Sequence, residues 1–497
     1  MSTKNYVKWK VSGGLEEPGS GRVAEVPPVS ADKTAASSGS SKSGDMGIGN
    51  DLQMEKSASE PRVYKKRWAI LVMFILLSAS NGAQWIMYSV IAQIVADFYG
   101  VSFTAVDWTS MIYMATYIVL FIPAAYVLDK YGLRVSLLLG ATGNALGSWL
   151  RMFSTNPDGF WITFVGQTIV GASQMFTLGI PPRLAAVWFG PNEVSTACAA
   201  GVFGNQLGIA IGFLVPPIIV RNGTQEEVSS RLTHLFLYSA LLNTIIFAMI
   251  LCFFSARPPT PPSLAQITAQ EEKTLDGNFW RTLKKLCLSK DFALLFVTYG
   301  INTGVFYAVS TLLAQMVLPF YPEESVAIGQ IGVVIVVSGM LGSVAGGFLL
   351  DRFKKFKLTT LLDYFLSFLA MLTFTFTLDL GYLAIVFINS AVLGFFMTGY
   401  LPIGFEFAAE ITFPAAEGTT SNLLNASAQV FGILLTMAMG KVMHSVNTLS
   451  SNIIMSLALL VGTILTALIS EDLKRQKAHS GRSQLPTSAT QLTSASD

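Results

Sequence analysis

The chain is dominated by about twelve segments of roughly 20 or more mostly apolar residues, joined mainly by short polar connections. An apolar stretch of about 20 residues is long enough to cross the hydrocarbon core of a bilayer as a helix. Charged residues make up only 12% of the chain, against about 25% in soluble globular domains, so most of its surface cannot face water. We therefore predict an all-α membrane protein with twelve transmembrane helices, at approximate residues 68–97, 108–129, 133–154, 159–182, 195–220, 234–255, 291–317, 327–350, 358–379, 382–407, 418–440 and 451–470.

The polar stretches divide this series into two sets of six. Residues 256–290 begin with a proline-rich run and continue with mixed charge, which is typical of a linker. They separate an N-terminal half, 65–255, from a C-terminal half, 291–472. Residues 1–64 and 473–497 are rich in polar residues and have no long apolar segment, so we expect disordered tails there.

Basic residues predict the orientation in the membrane. They concentrate in the tails, the linker and the loops after the second, fourth and eighth segments, as at Lys65–Arg67, Arg183 and Arg352, and the opposite side has only scattered bases such as Arg151. Since cytoplasmic loops carry the excess of Lys and Arg, both termini are expected in the cytoplasm. We expect a multi-pass protein of the plasma membrane, with mitochondrial and endoplasmic reticulum membranes as alternatives. The acceptor pattern Asn222-Gly223-Thr224 then lies outside the cell, which makes Asn222 a candidate glycosylation site.

Composition argues against several other classes of protein. A net charge of +2 does not indicate a nucleic-acid partner. The three cysteines, Cys198, Cys252 and Cys287, form no CxxC motif, so neither a metal site nor a disulfide framework is indicated. No nucleophile–base pair lies at membrane depth, so we expect no enzyme activity and no cofactor.

An internal repeat relates the two halves. The loop motif Asp129–Arg134 (DKYGLR) has a counterpart in Asp351–Lys357 (DRFKKFK), and the aspartates lie 351 − 129 = 222 residues apart. At the same offset, Gly82–Trp85 (GAQW) matches Gly304–Tyr307 (GVFY). Parallel repeats of six helices imply a pseudo-two-fold axis along the membrane normal, with the substrate bound between the halves near mid-membrane.

Longer motifs carry a resemblance to a known family. They are residues 84–86 (QWI), 107–111 (DWTSM), 187–198 (VWFGPNEVSTAC), 204–208 (GNQLG), 394–402 (GFFMTGYLP) and 424–429 (LNASAQ). With these motifs the chain resembles the major facilitator superfamily and, within it, the feline leukemia virus subgroup C receptor family, over about residues 65–475. The resemblance implies two pseudo-symmetric six-helix halves that rock about a central site. It also implies transport of choline and ethanolamine, with heme as the substrate proposed earlier for the family.

The residues predicted near the middle of the helices are aromatic rings and neutral amides. A quaternary ammonium group has no hydrogen to donate and is held by the faces of Trp and Tyr rings, worth about 0.5–2 kcal/mol per ring. The alternative is that the aromatic rings pack against helices or lipid and the amides bond between helices. The resemblance assigns the cage to Trp85 and Tyr307, surrounded by Asn81, Tyr113, Met114, Gln174, Phe306 and Gln429.

The expected mechanism is uniport. Proton-coupled carriers place acids or histidines inside the bundle, and the sequence suggests no mid-membrane carboxylate, since Asp107, for example, falls at the outer end of the second helix. His234 and His444 fall at the outer ends of the sixth and eleventh helices and His479 in the tail, so no mid-membrane histidine supports heme as the central substrate. A heme exporter, or a receptor or sensor on a transporter scaffold, remains the alternative, although the outer loops are short. We expect a monomer whose partners are the lipid bilayer and a small cation.

The repeated loops suggest a cytoplasmic gate. In the superfamily the loop acid braces the closed cytoplasmic side, so Asp129 is expected to meet Arg183 and the start of the eleventh helix near Glu417. Asp351 is expected to meet the start of the fifth helix near Glu193. The alternative is that these loops are basic only because they are cytoplasmic. Gly132 corresponds to Lys354, so the tight glycine turn suggested for the first loop is lost in the second, and the second gate is expected to be looser.

Overall fold

The computed structural model describes residues 63–190, 193–260, 284, 286, 288–322, 324–353, 355–413 and 417–474, and all statements below concern these residues. The predicted tails and most of the predicted linker lie outside them. The side chains of Asp129, Asp351 and Glu417, three of the predicted gate residues, are also outside the described part. Within the described part the chain is helical and no strand is present.

Six helical rods form the N-terminal half. They are α1 (Lys66–Tyr99, with a 3-10 turn at Ser89–Ile91), α2 (Phe103–Leu128), α3 (residues 133–151), α4 (residues 160–188), α5 (Val194–Ile219) and α6 (Gln225–Phe253). A sharp turn at Gly132 separates α2 from α3: its φ of 81° lies in the left-handed region that glycine adopts without steric cost. The tight glycine turn that the sequence suggested in this loop is therefore present.

Six more rods form the C-terminal half. They are α7 (Lys290–Val317), α8 (Ser325–Phe353), α9 (Phe356–Thr377), α10 (Leu383–Thr412), α11 (Glu417–Ser445) and α12 (Thr448–Ala467). The observed bounds agree with the predicted segments except at a few ends. α6, for example, begins at Gln225, nine residues before the predicted start, because Thr224 caps it and forms a capping box with Glu227.

Ten of the twelve rods are long and apolar enough to cross a membrane by length and composition, within the described residues. The other two are α3 and α4. Both carry polar side chains that point into the bundle, such as Asn144 and Arg151 on α3 and Gln167 on α4, all fully buried. The all-helical membrane fold is confirmed, whereas a full set of twelve membrane spans stays a prediction.

Helix packing follows the predicted two-fold repeat. α1 packs against α5 as α7 packs against α11, and α4 packs against the α2–α3 pair as α10 packs against α8 and α9. The halves meet where α5 contacts α8, where α11 contacts the α2–α3 pair, and where α7 contacts the 3-10 turn of α1. Small residues permit the close approach: a Cβ on Gly208 of α5 would overlap the main chain of Ala79 on α1. This arrangement leaves a space between the halves.

Candidate substrate-binding cavity

A cavity of about 660 Å³ lies between the two halves. It is lined by α1, α2, α4 and α5 from one half and by α7, α8, α10 and α11 from the other. None of the described residues that line it carries a charge. Its walls are aromatic, aliphatic, hydroxyl and amide side chains, which suit a small molecule held by ring faces and a few polar contacts.

Trp85 and Tyr307 meet across the interface between the halves. Their ring centroids lie 5.6 Å apart at an interplanar angle of 73°, an edge-to-face contact. They occupy matching positions of the repeat, Trp85 on α1 and Tyr307 on α7, and each belongs to its half's GxxW or GxxY motif. In an edge-to-face pair, the edge of one ring meets one face of the other, and the remaining faces of Trp and Tyr rings are groups that attract a cation.

Polar and sulfur-containing side chains surround this aromatic pair. The Gln429 amide nitrogen on α11 donates to the Tyr307 hydroxyl at 3.4 Å. Gly432, one turn further along α11, allows Met114 of α2 and Tyr307 to approach closely: a Cβ there would lie 2.9 Å from the Met114 sulfur and 3.0 Å from the Tyr307 ring. A glycine at this position therefore gives the cavity its width beside the aromatic pair.

Seven of the eight side chains predicted to bind substrate line the cavity, and one does not. Asn81 is fully buried in the N-terminal half, where its amide nitrogen donates to the Asn144 side chain at 2.9 Å and to the Val170 carbonyl at 3.2 Å. Asn81 therefore joins α1 to α3 and α4 and does not line the cavity. The seven that line the cavity are Trp85, Tyr113, Met114, Gln174, Phe306, Tyr307 and Gln429.

The cavity is closed at the end opposite the start of α1 and the end of α12. Gln315 of α7 donates to the Asp107 carboxylate of α2 at 2.7 Å and contacts the His444 ring nitrogen of α11 at 2.9 Å. One turn closer to the cavity, the hydroxyls of Ser110 and Thr311 lie 3.0 Å apart. These contacts join the two halves. The sequence placed Asp107 and His444 at the same end but indicated no link between them.

Toward the start of α1 and the end of α12, the cavity continues between the helices. Its lining there includes Pro181 of α4, Val202 of α5, Phe348 of α8 and Phe405 of α10. The predicted gate residues that the structure describes lie at this end. Glu193 pairs with Arg67 at 2.9 Å, within the N-terminal half, and Arg183 is half-buried. The gate role of these residues stays a prediction, as does glycosylation of Asn222, whose side chain is exposed.

Two features were missed by sequence reasoning. Arg151, which was grouped with the outer-loop bases, is fully buried within the N-terminal half. The second is Asp363, which lies within the apolar helix α9, about two turns from its start; one of its carboxyl oxygens is buried without a hydrogen-bond partner in the described part of the chain. In the sequence, Asp363 directly follows a run of apolar and hydroxyl residues within the predicted segment 358–379. An acid inside a predicted membrane helix was the signal that could have identified it.

The fold and cavity together define a membrane transporter of two six-helix halves. The family model described as Major Facilitator Superfamily matches residues 73–391, and the chain belongs to that superfamily. Among solved structures, a bacterial homologue of the human lysosomal transporter Spinster, crystallised in an inward-facing and unoccupied conformation, is similar with a TM-score of 0.65. It is 14% identical and covers 83% of this chain and 99% of its own, so this likeness concerns the fold alone.

Closer relatives identify the family within the superfamily. A zebrafish (Danio rerio) protein named choline/ethanolamine transporter flvcr2a is 49% identical over 85% of this chain and 90% of its own length. The human protein named choline/ethanolamine transporter FLVCR2 is 47% identical over 84% and 80%. A Caenorhabditis elegans protein named uncharacterized MFS-type transporter C09D4.1 is 69% identical over 89% and 76%. The chain belongs to the feline leukemia virus subgroup C receptor family, as its motifs suggested.

Proposed function

We propose that this protein is a facilitative carrier that moves choline, and also ethanolamine, across a membrane by rocker-switch alternating access. The observation that carries the proposal is the contact between Trp85 and Tyr307 in an uncharged cavity between the halves. The names of the relatives supply the substrate class, since several are called choline/ethanolamine transporters.

The chemistry of the cavity suits these substrates. A trimethylammonium group has no hydrogen-bond donor, and ring faces attract it by about 0.5–2 kcal/mol each, more when water is excluded. The substrate hydroxyl, and the ammonium group of ethanolamine, need polar partners. Gln174 and Gln429 carry both donors and acceptors and line the same cavity.

Alternating access follows from the asymmetry of the cavity ends. With the termini in the cytoplasm, as the basic loops predict, the cavity extends inward and the Asp107–Gln315–His444 cluster closes the outer end. To face outward, the halves would have to break this cluster and the Ser110–Thr311 contact. They would then close the inner end, where the repeated loops lie.

Uniport is the simplest driving mechanism for such a site. The described residues that line the cavity are uncharged, so no carboxylate among them needs to exchange a proton when the cation binds or leaves. A choline gradient, together with a membrane potential worth about 2.3 kcal/mol per charge per 100 mV, would drive net uptake. The buried carboxyl group of Asp363 is the group that could contradict this mechanism.

Uptake of radiolabelled choline by proteoliposomes tests the aromatic cage. Trp85→Ala and Tyr307→Ala should each raise the KM about 5- to 30-fold, the equivalent of about 1–2 kcal/mol for a desolvated ring. Trp161→Ala and Tyr238→Ala are matched controls, because these two rings lie on the outer helix surface with 72% and 57% exposure. Normal uptake by both cage variants would refute the cage.

A second experiment tests uniport in the same vesicles. At a fixed membrane potential, removal of the proton or sodium gradient should leave the initial rate of choline uptake within about twofold of its starting value, because no ion accompanies the substrate. Asp363→Asn should behave as the wild type in this assay. Loss of uptake on removal of either gradient would eliminate uniport, and restoration of gradient independence in Asp363→Asn would assign the coupling to that acid.

A further inference from the structure

Arg151 is a buried cation that the transport site does not contact directly. It ends α3, its side chain is fully buried, and it does not line the cavity. Its guanidinium centre lies 5.9 Å from the centroid of the Phe236 ring. Its hydrogen bonds in the described structure go to neutral groups only: the Gln167 Oε1 at 3.0 Å, the Met87 sulfur at 2.8 Å, the Ser148 and Ser239 hydroxyls at 3.2 and 3.4 Å, and the Gln84 Oε1.

The fold makes room for this charge despite its cost. A buried ion without a counter-ion is strongly disfavoured unless several polar groups solvate it. The stem of Arg151 crosses α4 at Gly166, where a Cβ would lie 2.8 Å from the Arg151 Cγ. A glycine on α4 and polar groups from α1, α3, α4 and α6 therefore accommodate one side chain. Simple helix packing would be served by an apolar residue of the same length.

The first link from Arg151 to the cavity runs through the residue before Trp85. The Gln84 Oε1 accepts hydrogen bonds from Arg151 and, at 2.8 Å, from Ser148. The main-chain carbonyl of Gln84 accepts from the Gln167 Nε2 at 3.0 Å, and Gln167 is itself bonded to Arg151. Both the side chain and the main chain of Gln84 are thus held, which restrains the segment of α1 that carries Trp85.

The second link runs through Gln167 to Tyr113, a cavity-lining residue of α2. The Gln167 Nε2 donates to the Gln84 carbonyl and to the Thr109 carbonyl, at 3.0 and 3.2 Å. Its Oε1 is therefore left to accept from Arg151 at 3.0 Å and from the Tyr113 hydroxyl at 3.4 Å. The guanidinium group fixes which way this amide points, and the amide in turn orients the Tyr113 ring.

We propose that Arg151 is a positioning residue that sets the N-terminal wall of the substrate cage by holding Gln84 and Gln167, and through them Trp85 and Tyr113. The planar guanidinium suits this task because its two terminal nitrogens reach two acceptors on different helices in a fixed geometry. The inference rests on the proposed cage function. It assigns no contact between Arg151 and the substrate.

Choline uptake kinetics in the full-length protein test this role. Arg151→Met keeps the length of the side chain but removes its donors, so we expect the KM to rise about tenfold while the Vmax per transporter stays within about twofold. Arg151→Lys restores a charged donor without the fork and should give an intermediate KM. Arg231→Met is the matched control and should have the wild-type KM, because Arg231 is partly exposed at the outer end of α6.

Thermal unfolding of the purified variants separates positioning from a merely structural role. A structural role alone would lower the melting temperature of Arg151→Met and leave its KM unchanged, and that result would overturn the inference. If Arg151→Met fails to fold, Gln167→Met replaces it, with a KM increase expected and an unchanged KM counting against the inference. Trp85→Ala and Tyr307→Ala variants that both have the wild-type KM would instead refute the cage itself.

If Trp85→Ala raises the KM and Arg151→Met does not, the cage stands and the positioning role is wrong. A double-mutant cycle sharpens the positive case. Since Arg151 is argued to act through Trp85, the KM effects of Arg151→Met and Trp85→Ala should combine to less than their product. Fully multiplicative effects would show that Arg151 does not act on the cage through Trp85.

Discussion

The two halves of the molecule pack alike but differ inside. In the N-terminal half, polar side chains from four helices bond to one another around Arg151. In the C-terminal half, a cluster of aromatic rings packs between the helices. The ring centroid of Tyr299 lies 5.7 Å from that of Tyr400 and 5.3 Å from that of Phe405. The rings of Tyr364 and Tyr400 make an edge-to-face contact, with centroids 5.2 Å apart.

Three buried asparagines show the same contrast, although one polar atom each of Asn81 and Asn144 in the N-terminal half also lacks a partner among the described residues. In the N-terminal half, Asn243 donates to Ser148 and to the Ser239 carbonyl and accepts from Ser80. In the C-terminal half, both polar atoms of Asn302 and of Asn452 lack hydrogen-bond partners within the part of the chain that the structure describes. The repeat therefore determines which helices pack together, but it does not determine how the buried polar atoms of each half find hydrogen-bond partners. We therefore expect the directional bonds to make the first half the stiffer wall of the cavity.

The largest expected effect comes from adding a methyl group at two glycines, Gly208 on α5 and Gly432 on α11. They occupy matching positions of the two halves, 432 − 208 = 224 residues apart. A Cβ on Gly208 would overlap the main chain of Ala79, whereas one on Gly432 would meet the movable side chains of Met114 and Tyr307. Gly208→Ala should cost about 3 kcal/mol of stability, since main chain cannot move aside. Gly432→Ala should fold and show a raised KM for choline.

Thermal unfolding and uptake together check this pair, with Gly179→Ala as a control because Gly179 does not line the cavity and no other atom lies within 4 Å of a Cβ there. Equal stability losses at Gly208 and Gly432 would mean that the halves are alike in their interiors as well as in their packing. A normal KM in Gly432→Ala would contradict the placement of the cage beside Gly432.

An intermediate effect is expected at the contact that joins the halves at the closed end. Gln315→Ala removes the bonds to Asp107 and His444, each worth about 1 kcal/mol, and should shift the carrier toward the outward-facing state. In a background without native cysteines, Ser110→Cys should then react about 5- to 30-fold faster with an impermeant thiol reagent added outside.

Gln93→Ala is the matched control for that experiment. Gln93 lies in the outer part of α1 and bonds only within its own half, to Asp97 at 2.9 Å. Its loss should leave the labelling rate unchanged. If Gln315→Ala behaves like Gln93→Ala, the cluster contributes nothing to outer closure, and other contacts between the halves must hold it.

The smallest effect is expected from an asparagine swap that compares the two interiors directly. Asn302→Leu should change stability by less than about 0.5 kcal/mol, because no hydrogen bond is lost. Asn243→Leu should cost about 1–3 kcal/mol, since it leaves buried hydroxyls without their partner. Denaturation in detergent measures both. A similar loss for the two variants would place hidden partners around Asn302 and weaken the comparison.

The sequence predicted the helix bounds and the repeat because both depend on local patterns. Apolar length predicts a helix in a bilayer, and the 222-residue offset relates Trp85 to Tyr307 whatever their contacts are. The family motifs predicted the cavity-lining residues, with Asn81 as the exception. Burial within one half, as for Asn81, depends on which face of α1 meets α3 and α4, and apolar periodicity is weak on a helix that is hydrophobic nearly all round.

By itself, the sequence determined that this chain spans a membrane as two related sets of helices with aromatic and amide side chains near the centre. Only the tertiary structure decided which polar residues satisfy one another. The sequence suggests an outer-loop base at Arg151 and indicates no relation between Asp107 and His444. The fold buries Arg151, and it links Asp107 and His444 through Gln315. The physical reason is that hydrogen bonds between helices join residues far apart in the chain, and no local pattern encodes which of them meet.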